Sequence, residues 1–235
     1  MDFNDLSQTE ILQGSFSLIF VILSLVIGIL FIVRYISNKQ IEFVTIGLTW
    51  VFLSSGWWGS AFSFLAILLF KTPLTLFQYL FISNVFLPLV LIVWIYSFCH
   101  TIYPSLEKMG LIITLLVVIP FEILLIILLF TNPQSIGRFE GIFDVVSSPF
   151  LQTFEIVLII TMLITGLMFS IKSMKVDDSS IKWRGRLLFI AFVLLAIAGL
   201  SDSLIIGGPF FLVIMRFVLI SSAIVYYLAF FFRRQ

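Results

Sequence analysis

Leu74–Phe98 reads LTLFQYLFISNVFLPLVLIVWIYSF and holds no charged residue. A helix crosses the hydrocarbon core of a bilayer with about 20 apolar residues, so this stretch reads as a membrane span. Working outward from it, six further stretches have the same character: Ser15–Tyr35, Phe43–Phe70, Met109–Phe130, Pro149–Ile171, Leu187–Ile206 and Pro209–Phe232. Together they take up most of the 235 residues. The predicted fold is all-α: one polytopic domain over 1–235, a bundle of seven transmembrane helices.

Composition agrees. The chain is 61% hydrophobic and 11% charged, whereas a soluble domain has about 45–50% apolar and about 25% charged residues. A water-soluble globular protein, a disordered chain and a nucleic-acid binder with a basic patch are excluded. The net charge of +1 points to no particular partner. The single cysteine, Cys99, reads as a small apolar packing residue.

Loop charges set the expected orientation. With the N-terminus outside, the inner segments hold Arg34, Lys39, Lys108, Lys172, Lys175, Lys182, Arg184, Arg186, Arg233 and Arg234. The outer segments hold only Lys71 and Arg138. Basic residues concentrate on the cytoplasmic side of membrane proteins, so this bias predicts the N-terminus outside, the C-terminus inside and an odd number of spans. The first fourteen residues carry Asp2, Asp5 and Glu10 and no basic residue, unlike a signal peptide. The expected location is the cell membrane, as a multi-pass protein. Tyr35, Tyr96, Tyr103, Trp183, Tyr226 and Tyr227 fall near the expected cytoplasmic boundary, as an interfacial belt would.

Local signals predict departures from straight helices. Pro73, Pro149 and Pro209 sit where spans enter from outside, where the missing N–H of proline is harmless. Pro88 and Pro120 lie inside the third and fourth spans and predict kinks. The second span reads Ser54-Ser55-Gly56-Trp57-Trp58-Gly59-Ser60 at its middle, which predicts a tilt, a kink or a short unwound turn. Two half-spans are the competing reading. The outer stretch Ile136–Val146 mixes Phe139, Ile142, Phe143 and Val146 with Arg138, Glu140 and Asp144. It reads either as a short amphipathic helix over the outer mouth or as an ordinary loop.

Four ionisable residues are embedded in spans: Glu122, Glu155, Asp202 and Arg216. Each costs about 2.5–3.5 kcal/mol at mid-membrane on translocon scales, and such residues are seldom left facing lipid. At about 1.5 Å rise per residue, Glu122 lies about 20 Å above the inner end of its helix. By the same rise Glu155 and Arg216 lie about 9–10 Å, and Asp202 about 6 Å, below the outer ends of theirs. Trp57, Trp58, Asn84 and Gln152 come out at similar levels, and Gln152 shares a helix face with Glu155. These eight residues form the expected ligand-binding set, lining a polar pocket that opens outward. Asp202 is the expected partner of Arg216. The alternative is structural: carboxylates at the interface, Arg216 tying helices together, and the tryptophans packing between helices rather than stacking on a ring or cation.

Several chemistries lack their residues. The one histidine, His100, does not supply the ligand set of a membrane zinc hydrolase, and no metal site is expected. No span pairs a serine with a histidine base, and there is neither a G-x-S-x-G elbow nor a P-loop. No lysine stands inside a span for a retinal Schiff base. The chain is therefore expected to be neither an enzyme nor a cofactor carrier.

Gly47-Leu48-Thr49-Trp50, Gly56-Trp57-Trp58-Gly59-Ser60-Ala61 and the last span, Arg216-Phe217-Val218-Leu219-Ile220-Ser221-Ser222 with Tyr226-Tyr227, carry a resemblance. The pattern resembles uncharacterised seven-helix membrane proteins of archaea, which are similar to the seven-helix sensor modules at the N-terminus of some archaeal histidine kinases. That resemblance implies a receptor-like shape and supplies no catalytic residue. Three functions follow as expectations. One is a seven-transmembrane receptor or sensor for a small ligand or ion. Another is a small proton- or cation-coupled transporter. The third is a membrane scaffold without a ligand. Beyond the lipid bilayer, a cytoplasmic protein or anionic lipid at the basic 172–186 loop is the expected partner, the alternative being a loop that only fixes topology.

Overall fold

A computed structural model describes residues 5–204 and 208–231. The parts of the charge and span readings that rest on Asp2, Ile206, Phe232, Arg233 and Arg234 lie outside the described residues. Seven helices are long and apolar enough to cross a membrane. The helical elements are α1 (Gln8–Asn38), α2 (Ile41–Leu53), α3 (Trp58–Phe70), α4 (Leu76–Asn84), α5 (Leu87–Ile102), α6 (Glu107–Thr131), α7 (Pro149–Met174), α8 (Ser179–Ser203) and α9 (Pro209–Phe231). The second span is α2 plus α3, and the third is α4 plus α5. "Outer" and "inner" below name the ends assigned by loop charge.

The chain divides into two compact units, Met1–Thr153 and Phe154–Gln235. In the first, α1 packs along α2 and α3, α2 against α5, α3 against α4, and α5 against α6. Phe20, Phe31, Trp50, Leu80, Leu125 and Leu129 are among its largest fully buried side chains. In the second, α8 packs on both α7 and α9. Phe192 of α8 lies against Gly166 of α7, and edge-on to Tyr226 of α9 with ring centroids 6.3 Å apart. Tyr226 is thus a core residue rather than part of an interfacial belt; burial between helices, not the headgroup region, takes its ring.

Helix starts follow local chemistry. Ser7 and Glu10 form a capping box at α1, each satisfying an amide the helix itself leaves free. Thr75 and Gln78 do the same at α4. The third span therefore starts after Thr75, and Pro73 stays in the connection before it: the reciprocal cap outweighs the proline signal. Pro149 and Pro209 do open α7 and α9. At the far ends of α1 and α3, Lys39 and Lys71 take left-handed backbone conformations (φ 56° and 59°) and send their amides to Tyr35 O and Ile67 O.

The two predicted weak points in the spans behave differently from Pro120. The second span is interrupted by a 3₁₀ turn, Ser54–Trp57, so it is one span with a tightened turn at its middle. The third span is interrupted at Val85–Phe86, just before Pro88, which sits in the first turn of α5 where its lack of an N–H does no harm. By contrast α6 runs unbroken through Pro120.

The outer connection after α6 is not an amphipathic helix. It is a β-hairpin, β1 (Gly137–Phe139) paired antiparallel with β2 (Val145–Ser147) in the register Gly137↔Ser147, Arg138↔Val146, Phe139↔Val145. Gly141 between the strands and the β-branched pair Val145-Val146 favour a hairpin, and ladder bonds satisfy a backbone that a short isolated helix would leave half open.

Candidate functional site

The two broken spans meet where they are broken. The backbone N–H of Gly59 donates to Ser83 Oγ at 3.0 Å, and Ser55 Oγ donates to the Ser83 carbonyl at 3.3 Å. Gly59 must be glycine here, because a Cβ would come within 2.7 Å of the Tyr79 ring and collide with Ser83 Oγ. Trp58 Nε1–H donates to Ser54 Oγ at 3.1 Å, and Ser54 Oγ donates to the Val51 carbonyl at 2.7 Å. Asn84 donates to the Leu80 carbonyl at 2.9 Å. Side-chain hydroxyls thus replace ladder bonds that the interruptions remove. Irregular backbone at membrane depth survives only when its polar groups are met in this way. Ser54, Ser55, Ser83 and Asn84 are all buried.

Three residues of the expected ligand set, Trp57, Trp58 and Asn84, fall at this crossing. Both tryptophans pack against aromatic rings of the protein. Trp57 meets Phe20 edge-on at 5.1 Å, while Trp58 lies 5.4 Å from Phe86 and 6.2 Å from Phe62. Phe52 stacks on Phe86 across the same crossing at 6.1 Å.

A cap closes the outer end of the first unit. Phe143, at the turn of the hairpin, is buried with Leu6, Phe64 and Ile67. Its carbonyl accepts the Tyr79 hydroxyl at 2.9 Å, and the next residue, Asp144, accepts from Gln13 of α1. Tyr79 also packs edge-on against Phe139. The cap therefore grips α1, α3 and α4, and the last two are the outer halves of the broken spans. At the inner end, His100 of α5 sits between two carboxylates. Its Nδ1 is 2.8 Å from Glu107 Oε2 and its Nε2 is 3.6 Å from Glu42 Oε1, with Tyr96 stacked on the ring.

The embedded charges divide between the units. Glu122 and Gln152 belong to the first; Glu155, Asp202 and Arg216 belong to the second. Glu122 Oε2 is buried and accepts no hydrogen bond among the described residues. Within the second unit Asp202 and Arg216 meet: Arg216 Nη1 donates to Asp202 Oδ2 at 2.7 Å, and Arg216 is 4% exposed. Among the described residues no group of three or more His, Cys, Asp or Glu side chains is placed to hold a metal ion.

Ser83, Gln13, Tyr79, Phe143, Asp144 and the His100 cluster were not in the expected site set. The hairpin had a legible signal in Gly141 and Val145-Val146. Ser83 had none, because nothing in its neighbourhood says that the amide it must satisfy lies on another span. No family profile, curated protein or solved structure matches the chain.

Proposed function

We propose that this chain is a seven-helix sensor of the cell membrane, in which a small ligand or ion acting at the outer cap is read at the inner end of the first unit. The observation that carries this reading is the crossing of two interrupted spans. The outer halves α3 and α4 are gripped by the cap, the inner halves α2 and α5 pack on each other, and the interruptions between them lie side by side. A 3₁₀ stretch inside a helix is a common hinge. Two hinges at one level let the outer halves tilt without breaking the packing of the inner halves. The resemblance to sensor modules of archaeal histidine kinases points the same way.

The test places spin labels on the inner ends of α2 and α5, at Gln40→Cys and Thr101→Cys in a Cys99→Ala background, in lipid nanodiscs. Metabolites and ions are first screened by thermal shift on the same protein. A compound that raises the melting temperature is expected to shift the label distance, and Phe143→Ala is expected to shift it without a compound. An unchanged distance in both cases overturns the sensor reading.

One observation favours a second reading, a small proton- or cation-coupled transporter. Interrupted helices meeting near the midplane are where many transporters bind their ions. Proteoliposomes carrying the chain and a pH-sensitive dye would then show proton flux that Ser83→Ala alters. Flux no faster than in protein-free vesicles removes that reading.

A further inference from the structure

The inner connection of the second unit, between α7 and α8, brings five cations together: Lys172, Lys175, Lys182, Arg184 and Arg186, against Asp177 and Asp178. Asp178 is engaged locally. Its Oδ1 accepts the amides of Ser180 at 2.7 Å and Ile181 at 3.2 Å as the N-cap of α8. Among the described residues the side chains of Lys175, Lys182, Arg184 and Arg186 make no ion pair or hydrogen bond. Arg184 is nevertheless held in place. Its Nε is buried, so its stem is packed against protein and its terminal nitrogens are left as free donors. The helix that carries it is fixed too: Gly185 lies so close to α7 that a Cβ there would stand 2.9 Å from the Ser170 carbonyl and 2.9 Å from Met174 Cγ. Around these cations, Val176 and Ile181 are exposed, and Trp183 stands next to Arg184.

We propose that this end of α7 and α8 is a binding surface for the phosphate headgroups of anionic phospholipid. Arg184 and Arg186 donate to phosphate, Lys175 and Lys182 flank them, and Trp183, its Nε1 buried beside Arg184, reports on the lipid next to them. Charge complementarity carries the choice of partner: five cations stand against Asp177 and Asp178, and Asp178 is taken up by the cap of α8. Depth carries the choice of lipid over protein. Both helices are long and apolar enough to span the membrane, and these residues lie at their ends, where the exposed Val176 and Ile181 mixed with cations meet headgroups rather than bulk water. Arginine suits phosphate because its planar fork donates two parallel bonds.

The experiment is tryptophan quenching by brominated lipid. The full chain is reconstituted in phosphatidylcholine bilayers with increasing phosphatidylglycerol, either lipid being brominated. The signal of Trp183 is the difference between the unaltered chain and Trp183→Phe. Phosphatidylglycerol is expected to displace phosphatidylcholine at Trp183 with a preference that drops about fivefold in Arg184→Gln. The preference vanishes when Lys175, Lys182, Arg184 and Arg186 are all changed to Gln, and it weakens in high salt. Should the fourfold variant fail to insert, the salt titration of the unaltered chain still decides the question. Equal quenching by the two brominated lipids overturns the proposal and leaves these charges to topology or a protein partner. A preference that is insensitive to both salt and Arg184→Gln overturns it as well.

Discussion

Arg216 Nη1 on α9 donates to Asp202 Oδ2 on α8 across 2.7 Å, the two residues being 14 apart in sequence. Both partners sit within helices of membrane-spanning length or at their very end. The pair turns two residues that are each unfavourable in lipid into a tie between neighbouring helices.

The first prediction concerns that tie. Removing one member of a buried pair strands the other charge, typically at about 3–5 kcal/mol. Arg216→Ala is therefore expected to lower the melting temperature of the purified protein by several degrees. Arg138→Ala, on an exposed position of β1, is expected to leave it within error. The double change Asp202→Leu with Arg216→Leu is expected to recover much of the loss, because it leaves no charge stranded. Similar, negligible shifts for Arg216→Ala and Arg138→Ala would contradict a stabilising pair.

A second prediction tests helix approach. A Cβ on Gly47 of α2 would stand 2.7 Å from Phe31 Cβ and 3.2 Å from the Gly28 carbonyl of α1. Overpacking of this kind typically costs about 1–3 kcal/mol. Gly47→Ala should destabilise the protein measurably in a thermal melt. Gly141→Ala should not, since a Cβ there has nothing within 4 Å.

How much of this was legible in the sequence depends on the range over which each feature is decided. The seven spans are decided by runs of apolar residues, and they appear in the structure with the starts of α1 and α8 moved outward by about two turns and most other ends by a turn or less. Ser15–Tyr35 becomes Gln8–Asn38, because Ser7 and Glu10 extend the helix through a polar turn. The weakness at Ser54–Trp57 was readable from its glycine and serines. Its partner at Val85–Phe86 was readable only as a proline kink. That the two lie side by side depends on packing between spans, which no local pattern encodes. The Asp202–Arg216 pair was legible, because consecutive spans joined by a short loop must be neighbours. The hairpin segment read as either a short helix or a loop, because the mixed apolar and charged run Ile142–Val146 satisfies either period. Glu122 and Gln152 belong to one unit and Glu155, Asp202 and Arg216 to the other.

A third prediction isolates the crossing. Ser83→Ala removes the acceptor of the Gly59 amide while keeping the Ser83 carbonyl. A buried donor left unsatisfied costs about 1–3 kcal/mol. Hydrogen exchange should rise in the 54–59 segment in lipid nanodiscs, with the hairpin 137–147 unchanged. Equal exchange in both segments would mean that the two spans are not held together by this bond.

The fourth prediction separates the two ways in which the cap is held. Phe143 is 1% exposed and packs edge-on against Phe64 at 5.7 Å, so its grip is apolar. Tyr79 adds one hydroxyl donor to the Phe143 carbonyl. Truncating a buried phenylalanine typically costs about 3–5 kcal/mol, against about 1 kcal/mol for a single neutral hydrogen bond. Phe143→Ala should therefore open the 137–147 hairpin to protease at concentrations that leave the unaltered chain intact, and Tyr79→Phe should need far more protease to do the same. Because both changes act on one contact, the double variant should be little worse than Phe143→Ala alone. Were Tyr79→Phe the more damaging of the two, the cap would be held by its polar contact, and a ligand competing for that hydroxyl rather than for the apolar seat would be the way to open it.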